Sequence, residues 1–379
     1  VGNIEWLMGL ALCLVAGCGE PVAVRSAVGS GRQVIEAPKK KRLGVADLLA
    51  CLEAPSTAIY QPDALAPGTA AGVQVFTFEQ ETVNCGSVTR RYIVHVPASM
   101  APKTAAPVVI GLPGRGANAE SLREFQMRGE FDRLADRDGF VMVYGNGLPT
   151  PNNFEGIANS GEFRTEFCQL ADEVDELQYL ERIVGDLMSR SLIRGDNPIY
   201  LVGHSNGGGL ALSAAQQHAE RYAGVAAIMP FVGSVPQAPK DLRNTKLTRV
   251  MFVVSLTDPA FPADYAKSVQ LPLADGYGRA LGIEPSVLAS PVTATIADSV
   301  QEGADYSGSN PTITRTRHST VLRLDYASAH GKLRVFQLDH AGHFWPTPNY
   351  HDSSSVLELA GLRNQDMDGA VETWRFFHE

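Results

Sequence analysis

The chain has 379 residues, of which 44% are hydrophobic and 19% charged, and it carries a formal net charge of −9. That composition can bury a large core, as one big domain or two small ones, and the acidic balance argues against nucleic acid as the partner. The only basic run, Lys39-Lys40-Lys41-Arg42, stands before the regularly patterned region and reads as a solvated segment.

Trp6 to Ala16 is apolar but shorter than the ~20 residues a bilayer span needs. It runs into Val15-Ala16-Gly17-Cys18, which resembles a bacterial lipobox. The expectation is a lipoprotein signal over residues 1–17, acylation of Cys18, and an exported protein that meets the membrane through that lipid anchor alone, facing the periplasm or the cell exterior. The segment before the apolar stretch lacks the usual Lys or Arg, so a plain secretory signal is the alternative. Cys13 would leave with the signal, and Cys51, Cys85 and Cys168 would remain where disulfides persist. One bridge involving Cys85 is the favoured arrangement. Residues 18–71, with Pro55, Pro62 and Pro67, read as a tether and N-terminal extension.

From residue 72 to 379 the pattern is that of one catalytic-sized domain. Val73 to Val83 and Arg91 to Val96 alternate in period two and predict an antiparallel opening pair. Pro107 to Leu112 predicts a short buried strand, Glu120 to Asp136 a helix, and Phe140 to Tyr144 the next strand. Asp172 to Leu192 carries Val174, Leu177, Leu180, Ile183, Val184 and Leu187 on one face and predicts a long helix. Strands follow at Pro198 to Val202, Gly224 to Met229, Arg249 to Ser255 and Leu333 to Leu338, and a closing helix runs from Gln365 to Phe377. Alternation of this kind predicts an α/β fold, a mostly parallel sheet covered on both faces, with ligands at the carboxyl ends of its strands. Residues 264–320 are long and polar, and a partial lid insertion is the expectation there.

The chemistry centres on Gly203-His204-Ser205-Asn206-Gly207, placed between an apolar strand and a small-residue helix. Glycines flank a turn too sharp for side chains, and the turn presents the Ser205 hydroxyl. A serine needs a base, best a histidine, and the base needs an acid to orient it. The order Ser, Asp, His is met by Asp258, just past the strand ending at Ser255, and by His343 in Asp339-His340-Ala341-Gly342-His343-Phe344-Trp345-Pro346. Asp264 and His340 are the rivals. Two backbone N–H donors, from Asn206 at a helix amino terminus and from Arg115 in Leu112-Pro113-Gly114-Arg115-Gly116, would form an oxyanion hole. Phe344 and Trp345 could stack on an acyl group, or Trp345 could simply brace the histidine loop. No metal or cofactor is implied.

Over about residues 85–379 the chain resembles the α/β-hydrolases of the poly(3-hydroxybutyrate) depolymerase-like and feruloyl esterase-like group. The resemblance rests on G-H-S-N-G-G-G, T-D-P-x-x-P, A-G-H-F-W-P and the closing D-G-A-x-x-T-W-R-F-F, in that order. It implies carboxylic ester hydrolysis with Ser205, Asp258 and His343 as the triad. Pro113 departs from the family, which carries His there, and removes one loop N–H. A serine peptidase of the same fold and a non-catalytic binding lipoprotein are the competing readings. Short soluble esters, including hydroxyalkanoate or hydroxycinnamoyl esters, are expected as substrates ahead of solid polyester.

Overall fold

The computed structural model describes residues 72–81, 87–100, 106–115, 117–147, 175–232, 241–301, 317–348 and 361–379. Gly72–Glu81 (β1) and Ser87–Val96 (β2) pair antiparallel along their whole length, as their alternation predicts. Val108–Leu112 (β3), Val141–Gly145 (β4), Ile199–His204 (β5), Tyr222–Ile228 (β6) and Arg249–Ser255 (β7) are short aliphatic runs, almost wholly buried. Strands covered on both faces need that composition. Val292–Gln301 (β8), Arg317–Ala327 (β9) and Lys332–Leu338 (β10) complete one sheet in the order β1-β2-β4-β3-β5-β6-β7-β10-β9-β8.

From β4 to β10 the strands of this order are parallel, while β2 on one side and β9 with β8 on the other run antiparallel. The exchange of β3 and β4, with β2 antiparallel beside them, is the strand plan of the α/β-hydrolase fold, and that is the fold of this protein.

Six α-helices cover the sheet among the described residues: Glu130–Asp138 (α1), Glu176–Ser189 (α2), Asn206–Gln217 (α3), Leu271–Ala280 (α4), Pro285–Leu288 (α5) and Gly369–His378 (α6). Alternate residues of each central strand feed two cores. Leu201, Phe252 and Val254 meet Leu180, Leu210 and Tyr277 from α2, α3 and α4 on one face. Val202, Met251 and Val253 meet Phe131, Trp374 and Phe377 from α1 and α6 on the other. Asp caps start two of these helices: Asp175 accepts N–H bonds from Leu177 and Gln178, and Asp368 accepts from Ala370 and Val371. The closing helix therefore begins at Gly369, four residues later than its pattern suggested.

One expectation is corrected. The helix predicted over Glu120 to Asp136 is split into a π-helical turn, Ser121–Gln126, and α1. Arg128 (φ 56°) and Gly129 (φ 66°) are left-handed, and no α-helix continues through two such residues. In its described part the stretch 264–320 supplies a π-helical turn at Ala266–Gln270, α4, α5, β8 and the start of β9. Its buried residues Ala274 and Tyr277 anchor it beneath the sheet, and the Tyr277 hydroxyl donates to the Leu212 carbonyl at 3.0 Å. Residues 302–316 lie outside the described residues, as do the signal at 1–17, Cys18, the tether at 18–71, and Cys51, Cys85 and Cys168.

Candidate active site

Five loops leave the carboxyl ends of neighbouring parallel strands and meet at one place. Ser205 follows β5 directly, and its backbone stands at φ 52° and ψ −118°. A non-glycine residue is rarely found there, and strain of this kind collects at functional sites. The surroundings hold it: Ser205 N–H donates to Ile228 O at 2.9 Å, and Ser205 O accepts from the N–H groups of Phe231 and Gly209. The flanking glycines are sterically required. A Cβ on Gly203 would overlap Gly207 O, and a Cβ on Gly207 would overlap the carbonyl oxygens of Leu112 and Pro113. Ser205 itself is only 3% exposed, so its hydroxyl sits in a buried recess.

His343 and Asp258 come together although 85 residues separate them: Nδ1 of His343 lies 2.7 Å from Oδ2 of Asp258. Asp258 is buried and the His343 side chain nearly so. The other Asp258 oxygen accepts the Ala260 N–H at 2.9 Å, which fixes the carboxylate plane. Acid loop and histidine loop are tied to one another, because the Ser255 hydroxyl donates to Ala341 O at 2.6 Å and the Thr257 hydroxyl donates to the same carbonyl. With Nδ1 engaged, the Nε2 atom of His343 is buried and carries no hydrogen bond, which leaves it as the nitrogen able to exchange a proton. The rivals are placed elsewhere. His340 is 47% exposed at its side chain beside Asp339, and Asp264 is exposed with its carbonyl starting the next helical turn.

The loop after β3 lies against the serine. A Cβ on Gly114 would stand 3.1 Å from Ser205 Cβ and 3.2 Å from His204 Nδ1. Arg115 is the next residue, and Asn206 opens α3 on the other side of Ser205. Sequence reasoning missed Asn146, which braces this loop from the end of β4. Its Oδ1 accepts the Ala119 N–H at 2.9 Å, and its own N–H donates to the Tyr179 hydroxyl at 2.8 Å. An Asn after a strand carries no signal until the fold puts it beside that loop.

Phe344 and Trp345 are not available to stack on substrate. Trp345 is 1% exposed, packs edge-on against Phe131 at 6.0 Å and lies against Gly369. Phe344 is buried under the Arg363 guanidinium, 4.7 Å from its ring. Both brace the histidine loop. The aromatic groups nearest the site are others: Phe261 meets the His343 ring edge-to-face at 4.9 Å and stacks on Tyr265 at 4.6 Å.

His204, read from sequence as a surface or packing residue, is buried with its ring 4.8 Å from that of His343. Neither of its nitrogens has a hydrogen-bond partner. Burial first, then the positive charge of protonated His343 and of Arg363, holds its pKa well below the ordinary 6.5. The unfolded chain therefore takes up a proton below that pH while folded His204 does not, so the unfolded state binds more protons and stability falls as pH drops below 6.5. Urea unfolding from pH 7 to about 5 should show this loss, and His204→Gln should flatten it.

No protein-family model matches the chain. A protein of Nocardia uniformis subsp. tsuyamanensis named putative esterase NocK is 25% identical over 308 residues, covering 78% of this chain and 82% of that one. Among solved structures, an acetyl xylan esterase from Aspergillus awamori superposes with a TM-score of 0.44 at 10% identity, covering 73% of this chain and 96% of that chain. A thermostable esterase gives a TM-score of 0.37 at 18% identity over 54% of this chain, which spans about half (52%) of that esterase. The chain is esterase-like in sequence at this distant level, and the structural likenesses are too loose to speak to substrate.

Proposed function

We propose that this protein is a serine carboxylic ester hydrolase that works through an acyl-enzyme. One observation carries the reading: a serine held at a backbone geometry that costs energy, at a strand-to-helix elbow, adjoins His204, whose ring lies 4.8 Å from that of His343, itself paired with Asp258 and unengaged at Nε2. Ser205 Oγ attacks the ester carbonyl carbon while His343 Nε2 takes its proton. Asp258 fixes the imidazole tautomer and stabilises the imidazolium. The N–H groups of Arg115 and Asn206 receive the developing oxyanion, helped by the amino end of α3. The tetrahedral adduct collapses, His343 passes the proton to the leaving alcohol, and water hydrolyses the acyl-Ser205 by the same steps.

The motifs shared with the poly(3-hydroxybutyrate) depolymerase-like and feruloyl esterase-like group, and the similarity to a protein named as an esterase, support ester rather than amide chemistry. Short-chain, hydroxyalkanoate or hydroxycinnamoyl esters are the proposed substrates. Labelling with a fluorophosphonate, followed by peptide mapping and a panel of matched esters and amides, tests the assignment. Label on Ser205 with ester turnover is the expected result; absence of both would remove it.

The lipobox-like Val15-Ala16-Gly17-Cys18 supports an exported, lipid-anchored protein. Multiple acyl chains hold a protein firmly where a single chain does not. Cys18→Ser is expected to move the protein from the membrane to the soluble fraction with unchanged specific activity on a soluble ester. Retention in the membrane fraction would point to an uncleaved apolar segment instead.

A further inference from the structure

Beside the catalytic pair stands a row of aromatic rings that the elbow, the acid and the base do not use. Phe261 follows Asp258 by three residues and presses edge-to-face on His343, with centroids 4.9 Å apart. Tyr265 stacks on Phe261 at 4.6 Å and 29°. Phe231 completes the row, 6.0 Å and 20° from Phe261 and 6.2 Å and 10° from Tyr265. Two hydrogen bonds hold the row: Phe231 N–H donates to Ser205 O at 2.9 Å, which ties it to the nucleophile, and Val232 N–H donates to the Tyr265 hydroxyl at 2.8 Å, which ties Tyr265 to the same segment. Phe231 and Tyr265 are half-buried and keep part of their surface open.

The row has a definite side. It rises from the loops after β6 and β7, whereas the Gly114–Arg115 loop comes from β3, across β5 from it. A carbonyl oxygen directed at that loop sends the other substituents of the reacting carbon toward the rings. Of those, the leaving oxygen must come within hydrogen-bond reach of His343, since the imidazole protonates it. The group on that oxygen then lies where Phe261 borders the imidazole. Near-parallel rings with apolar faces suit a flat apolar partner, which gains from stacking beyond its buried area.

Resting on the esterase reading above, we infer that Phe231, Phe261 and Tyr265 form the binding surface for the leaving alcohol and select esters of aromatic or other planar apolar alcohols. Benzyl acetate and butyl acetate share an acyl group and similar leaving-group acidity, so they isolate the alcohol side. Ethyl phenylacetate and ethyl butyrate isolate the acyl side. The wild-type protein is expected to prefer benzyl over butyl acetate in kcat/KM, and Phe231→Ala to reduce that ratio about tenfold, in keeping with the loss of one stacked ring. Phe231→Leu, which keeps most of the volume, should reduce it in the same direction, and benzyl alcohol should inhibit the wild type more strongly than butanol.

No benzyl preference in the wild type, or a Phe231 effect confined to the phenylacetate series, would overturn the inference. The second outcome would make the row an acyl surface. Failure of the esterase reading looks different: Ser205 would take no fluorophosphonate and none of the four esters would turn over.

Discussion

Ser205→Ala is expected to lower kcat on p-nitrophenyl butyrate by ~10⁶-fold while the protein stays folded. The loss is large because nucleophile and base act as a unit, and neither retains much function alone. Folding should survive because alanine fits the same recess and inherits the same φ of 52°. Ser205→Gly separates the two demands further. Glycine adopts that backbone without strain, so this variant should be as inactive as Ser205→Ala yet more stable than it by about 1 kcal/mol. Burst kinetics and thermal melts of the three proteins check both points. Retention of turnover in Ser205→Ala would remove the nucleophile assignment.

Asp258→Asn is expected to cost ~10⁴ in kcat with little effect on KM. The amide N–H₂ would face His343 Nδ1 and force its proton onto Nε2, the atom that must accept one from Ser205. His343→Ala should fall nearly to the level of Ser205→Ala, whereas His340→Ala should remain close to wild type. His340 lies exposed beside Asp339, and nothing links it to Asp258. A reversed outcome for the two histidines would move the base to His340 and leave the 2.7 Å pair as a structural ion pair.

The central strands were legible because a buried parallel strand has to be aliphatic along its whole length, and Val250 to Val254 could be nothing else. That Ser205, Asp258 and His343 stand just past strand ends was legible because a buried aliphatic strand marks where a loop begins, so chain order carried information about space. Where the sequence reading failed, the deciding interaction was tertiary. Trp345 looks like a surface aromatic beside a catalytic histidine, but Phe131 and Gly369, more than twenty residues away on either side, enclose it. The strands β8 and β9 look like a polar insertion because they close one side of the sheet, and the outermost, β8, leaves Val292, Thr293 and Thr295 exposed. Phe231 and Phe261 lie thirty residues apart in sequence, and only the adjacency of β6 and β7 makes them neighbours.

The contact of Gly207 with the carbonyl oxygens of Leu112 and Pro113 bears on how this site tolerates sequence drift. Main chain there rests on main chain, and every amino acid supplies the same carbonyl. The identity of residue 113 is thereby uncoupled from the spacing between the β3 loop and the elbow, so a proline can stand there without loosening that junction. Residue 207 has no such freedom, since any side chain would drive the two segments apart. Variation accumulated over many generations should therefore be lopsided across this junction, with position 113 open to exchange and position 207 restricted to glycine.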